Sequence, residues 1–218
     1  MASLYSSPKV SKAMFVKTVG GLDALIFAIE VVRLRSPYVN KLALKALGCV
    51  MRAHELDKFS GIMYCLFGVA VSAQLFPKHI AILGMLQLAI GDPLAAFFGH
   101  ASRKLTWARI YSNKSILGTL AFAACMTGAN YALLSSFSCD EPLVAGLLIA
   151  AFASLVELLV PSPRLTLPWK SLPLALDDNA ALPILASLGA ALVFSTLDLA
   201  PCSIKLPLSE PISDILGA

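Results

Sequence analysis

Apolar residues dominate the chain in six long runs, and polar positions fall between these runs rather than alternating within them. The runs extend approximately over 18–34, 61–76, 80–98, 116–137, 143–160 and 181–199. Roughly 20 apolar residues, with a lower limit of about 17, cross the hydrocarbon core as a helix. Lipid offers no partners for backbone N–H and C=O groups, so such runs satisfy them internally as helices. The pattern predicts an all-α, polytopic integral membrane bundle of about six transmembrane helices. A membrane-embedded domain is expected over residues 18–199. It lies between an N-terminal segment (1–17), poorly ordered or incomplete, and a C-terminal tail (200–218).

Composition excludes an ordinary soluble domain: 58% of residues are hydrophobic and 14% are charged, against about 25% charged in soluble proteins. Lys and Arg are unevenly placed. Six lie between positions 33 and 58 and four between 103 and 114, while Arg164 and Lys170 precede the last run. By the positive-inside rule these three loops face the cytoplasm. Lys9, Lys12 and Lys17 break the rule for six crossings, so either the first run does not span or a helix is expected ahead of it. The net charge of +4, gathered on one side, suits anionic headgroups or nucleotide phosphates, and nothing points to nucleic acid. The five cysteines have no zinc or CxxC spacing and read as free packed thiols. The acid-free, Ser- and Lys-containing start faintly resembles an organelle transit peptide, and a chloroplast or other plastid membrane is the alternative location.

Polar interruptions carry the candidate chemistry. Asp177, Asp178 and Asn179 open the last run. A carboxylate at the bilayer centre costs about 2.5–3.5 kcal/mol, so an adjacent pair belongs at an interface. Capping a helix needs only one of the three. Two adjacent carboxylates are suited to a hard divalent cation such as Mg2+, which takes one or two of them plus water and phosphate oxygens. Asp92 stands between Gly91 and Pro93 in the third run, where proline removes an intrahelical hydrogen bond. It reads either as lining a wet cavity or as paired with a base between helices. Asn113, Lys114 and Ser115 open the fourth run, where a helix N-terminus attracts anions, and Gly118 one turn on permits close approach. The Walker spacing is absent, so alone this start reads as a cap beside a snorkelling lysine. Glu30 and Arg33 are one turn apart and pair with each other. Arg52, Glu55 and Glu157 read individually as interfacial salt-bridge residues.

In order, the chain carries E-V-V-R-L (30–34), M-R-x-x-E-x-x-x-x-S-G-x-x-Y (51–64), G-D-x-x-A-A-x-x-G (91–99), N-K-S-x-x-G-x-x-A-F (113–122), Glu157 and D-D-N-x-x-x-P (177–183). This order resembles the CTP-dependent lipid kinase family of dolichol, phytol and diacylglycerol kinases, and is most similar to the diacylglycerol type. The resemblance implies phosphoryl transfer from CTP, with a divalent cation, to a lipid alcohol at the bilayer, most directly diacylglycerol to phosphatidate. It implies Asp92, Asp177 and Asp178 as metal ligands, and Asn113, Lys114, Ser115 and Gly118 as the phosphate cradle. Arg52, Glu55 and Asn179 belong to the nucleotide site on the same reading. An endoplasmic reticulum or nuclear-envelope membrane is expected, with the site facing the cytoplasm.

Three departures from the family pattern are visible. Nothing before Val19 matches the family's R-K-x-x-H helix, His100 stands where a base is usual, and nineteen residues, expected as an exposed loop, separate Glu157 from Asp177. A chain without that first helix is expected to insert but to phosphorylate lipid poorly. The alternatives are dolichol or phytol kinase, a CTP:phosphatidate cytidylyltransferase, a catalytically silent paralogue and, from another class, a transporter. A transporter would place its acids at the midplane, often in inverted repeats.

Overall fold

A computed structural model describes residues 1–7, 9–47, 58–102, 114–136, 139–160, 165–166 and 175–199. Its elements are α1 (Ala2–Ser6), α2 (Lys12–Arg35), α3 (Pro37–Leu47), α4 (Gly61–Leu75), α5 (Lys78–Leu86), a π-helical turn (Gln87–Gly91), α6 (Asp92–Ala101), α7 (Ile116–Ser136), α8 (Pro142–Leu159) and α9 (Asp178–Thr196). Among the described residues, four segments are long and apolar enough to cross a membrane: Lys78–Ala101, Ile116–Ser136, Pro142–Leu159 and Asp178–Thr196. Gly61–Leu75 is a shorter apolar helix. The charged α2, with 24 residues, is about 36 Å long at the α-helical rise of 1.5 Å per residue.

The rods alternate in direction and so create two ends. At one end, α2 finishes beside the start of α4, α6 finishes beside the start of α7, and α8 finishes beside the start of α9. At the other, Phe76, Cys139 and Leu199 pack into one cluster with Ile80, Leu134 and Phe194. The N-terminal lysines sit at this far end: Lys12 Nζ donates to Phe76 O at 3.0 Å. The expected boundary at residue 18 falls inside α2, because Ser11 caps that helix by accepting from Met14 N–H. Residues 1–7 pack as well, with the buried Tyr5 ring stacked 4.2 Å from Phe15. Lys78 ties this segment down by donating to Ser7 O and Val10 O.

The cysteine expectation needs one correction. Cys65 and Cys125 are free, but Cys139 in the far-end turn is disulfide-bonded. A thiol outside the apolar spans is open to an oxidising compartment in a way that a lipid-embedded one is not. The nineteen-residue link also departs from a plain loop. Leu165–Thr166 (β1) pairs antiparallel with Ala175–Leu176 (β2), which delivers the chain directly to Asp177.

Small and polar residues join the helices, as they do where lipid removes the hydrophobic drive for association. A Cβ on Gly68 would meet Ala180 O at 2.7 Å, so glycine there lets α4 reach the first turn of α9. Pro183, inside α9, has no N–H to donate. Its own carbonyl accepts from Ser187 Oγ at 2.7 Å and Ser72 Oγ at 3.3 Å, tying α4 to α9. Deeper in the bundle, Gln87 Nε2 donates to Asn130 Oδ1 at 2.9 Å, and Asn130 Nδ2 to Gly146 O at 3.3 Å.

Candidate functional site

The π-helical turn ends at Gly91 and hands over to Asp92 and Pro93. Proline cannot donate to the preceding turn, and the wider π geometry absorbs the lost bond. Gly91 faces the Phe122 ring of α7, and Ala95 O lies 2.6 Å from where a Cβ on Gly118 would stand. Gly118 therefore allows the close packing of α6 on α7. One turn earlier, Ser115 Oγ accepts from Gly118 N–H at 3.0 Å and from Ser102 Oγ at 3.3 Å. The Ser115 hydroxyl is thus occupied in starting α7 and joining it to the end of α6.

Beside this cap, Lys114 is 9% exposed. Its Nζ lies 2.5 Å from Glu157 Oε1 at the end of α8 and 3.6 Å from Asp178 Oδ2 at the start of α9. Lys114, expected in the phosphate cradle or as a snorkelling anchor, lies between two buried carboxylates on different helices. Asp177 and Asp178 divide the roles expected of the acidic pair. Asp177 is the cap: its Oδ1 accepts from Asn179 N–H at 2.9 Å and from Asn179 Nδ2 at 2.6 Å. That leaves Asp178 turned to Lys114. Burial, with Asp178 adjacent, pushes the Asp177 carboxyl above its ordinary value, and the Asn179 hydrogen bonds offset part of this.

Within this group the acids outnumber the base: Lys114 faces Glu157 and Asp178, and Asp177 adjoins Asp178. Such a group attracts a cation, or a nucleotide that brings one. Asp92 does not join the cluster directly. Gly99, seven residues further along α6, meets Ser115, so Asp92 lies about 10 Å deeper at 1.5 Å per residue. Asp92 and Asp177 both remain within electrostatic reach of Cys65 on α4. The helical rise sets Asp92 apart from the adjacent pair along the bundle axis. Among the described residues, no group of three or more His, Cys, Asp or Glu side chains could hold a metal ion. The adjacent pair still fits a divalent cation that keeps water and phosphate oxygens as its other ligands. Arg52, Glu55 and Asn113 lie outside the described residues.

A second buried ion pair braces the same end. Arg33, 2% exposed, donates from Nε and Nη2 to Glu30 and from Nη1 to Asn40 Oδ1 at 2.9 Å. Glu30 Oε2 accepts from Ser60 N–H at 2.9 Å, fixing the entry to α4. From there Phe59, Met63 and Tyr64 pack against Ala180, two residues beyond Asp178. The Glu30–Arg33 pair was visible as a one-turn spacing, but its reach to Asn40 and Ser60 was not. Nor was Glu157 as the nearest partner of Lys114: 43 residues separate them, and no local periodicity links the end of α8 to the start of α7.

The chain is similar to three proteins named CTP-dependent diacylglycerol kinase 1. It is 28% identical over 97 residues to that of Saccharomyces cerevisiae, covering 44% of this chain and 33% of the relative. For Schizosaccharomyces pombe the match is 30% over 99 residues, 45% of each chain. For Eremothecium gossypii it is 31% over 96 residues, covering 44% of this chain and 30% of the relative. The matched region thus spans less than half the length of each relative. No family model matches the chain, and no solved structure does.

Proposed function

From a chain related to the CTP-dependent lipid kinases, we propose an enzyme that transfers the γ-phosphoryl group of CTP to the hydroxyl of diacylglycerol. The lipid oxygen bonds to the γ-phosphorus, the bond from that phosphorus to the β–γ bridging oxygen breaks, and CDP leaves. The observation that carries this reading is Lys114, buried between Glu157 and Asp178 at the helix start where Asp177 also lies. Phosphoryl transfer demands positioning and charge neutralisation more than covalent chemistry.

On this reading Asp177 and Asp178 hold a divalent cation against the triphosphate, and Lys114 contacts a phosphate oxygen. A bound divalent cation supplies neutralisation of the charge that develops on the phosphoryl oxygens. Glu157 would hold Lys114 at the mouth of the site while Asp178 serves the cation. The site end faces the cytoplasm, the side the positive-inside rule gives the basic loops, and the membrane is that of the endoplasmic reticulum or nuclear envelope on the same reading.

Purified protein in diacylglycerol-containing vesicles, supplied with magnesium and either γ- or α-labelled CTP, tests the reaction. The γ label is expected in the lipid extract, and Asp178→Asn abolishes its appearance. Transfer of the α label would instead identify a cytidylyltransferase. Transfer to dolichol or phytol but not diacylglycerol would correct the acceptor. CTP binding without transfer of either label would identify a silent relative.

A further inference from the structure

α3 follows α2 immediately at the site end, after a break at Ser36 and Pro37 where the residue before proline leaves the helical region. Its sequence, PYVNKLALKAL, holds no acid. Tyr38 and Leu42 are 78% and 57% exposed, and the exposed Lys41 and Lys45 share their stripe at three- and four-residue spacing. An isolated helix of 11 residues is marginal in water. This one is tied by Asn40 to the buried Arg33, at the level where α2 leaves the bundle. An exposed apolar edge flanked by lysines, held at the boundary of a membrane bundle, matches an in-plane amphipathic helix.

We infer that α3 lies on the membrane surface at the site end, with Tyr38 and Leu42 in the headgroup–acyl boundary and Lys41 and Lys45 on the phosphates of anionic lipids. The lysine stems cover apolar surface while their ammonium groups reach outward. The occupant is an anionic bilayer because basic residues near such a surface gain attraction that a neutral lipid cannot supply. This placement does not depend on the reaction the site performs.

Amide hydrogen exchange over residues 37–47, measured on the full chain, tests it in vesicles of phosphatidylcholine alone or mixed with phosphatidylserine. Exchange is expected to be slower by roughly tenfold or more in the mixed vesicles, from two lysines near the surface. Lys41→Gln/Lys45→Gln should bring the mixed-vesicle rate to the neutral one while α7 and α8 keep their protection. Tyr38→Ser/Leu42→Ser should lose protection in both lipids. Equal exchange in the two lipids, or lipid dependence retained by the double glutamine variant, would overturn the inference. Protection that rises with protein density at fixed lipid composition would also overturn it, and would assign the face to a second copy.

Discussion

Two buried polar clusters lie in this bundle, and they differ in kind. Deeper in the bundle, Gln87 and Asn130 are fully buried and uncharged, and their hydrogen bonds run from the π-helical turn through α7 to the backbone of α8. At the site end, Lys114, Glu157 and Asp178 are slightly less buried and ionisable, one base between two acids. Burial alone does not separate glue from chemistry in a membrane protein. Charge does, because a neutral amide asks only for a hydrogen-bond partner, which Gln87 Oε1 lacks among the described residues, while clustered carboxylates call for a cation.

The sharpest way to break this comparison is Asp178→Asn, which keeps the shape and removes one charge. Turnover should fall roughly 100- to 1,000-fold, the scale of losing one preorganised electrostatic group. Label transfer to lipid at saturating magnesium measures it, and wild-type turnover would reduce Asp178 to an ion-pair partner. Glu157→Gln comes next, with a fall of about tenfold, because Lys114 keeps only Asp178. A cycle combining it with Lys114→Gln should show strongly non-additive losses. Additive losses would mean the two side chains act apart.

The neutral cluster should respond in the other currency. Asn130→Ala should cost about 1 kcal/mol of bundle stability, in the range of interhelical hydrogen bonds in membranes. Turnover per folded molecule should change less than about threefold, read by thermal unfolding beside the transfer assay. A large loss of turnover without loss of stability would erase the distinction between the clusters.

The smallest expected effect concerns pH. The Asp177 carboxyl titrates higher when folded than when unfolded, so the unfolded chain loses this proton first as pH rises. Stability from this group is therefore greatest below the unfolded value near 3.8 and is lost as pH climbs through the raised folded value. Asp177→Asn should flatten that acid-side slope, and magnesium should restore stability at neutral pH in the wild type but not in the variant. Unfolding midpoints against pH, with and without magnesium, measure both.

The helices were legible in the sequence because a span must be long, apolar and uninterrupted, and each expected run overlaps an observed rod. The Gly91–Asp92–Pro93 break was legible for a related reason, since a proline has no N–H wherever it stands, and it appears as the π-helical turn. Start positions were less legible. Ser11 caps α2 upstream of the apolar run, and Tyr5 packs on Phe15 through contacts that no periodicity encodes. Within the site, the acidic pair and Lys114 could be singled out by their cost in an apolar chain. Which partner each takes could not. The pairing of Lys114 with Glu157, the occupation of Ser115 by capping and the packing role of Gly118 depend on how separate helices meet.

Binding of labelled CTP to the purified chain, with and without magnesium, tests most directly the claim that charge marks the working cluster. It is measured on the wild type, Asp178→Asn and Asn130→Ala. The account predicts magnesium-dependent binding that Asn130→Ala retains and Asp178→Asn loses by tenfold or more. Equal CTP affinity in all three proteins, or binding indifferent to magnesium, would contradict it.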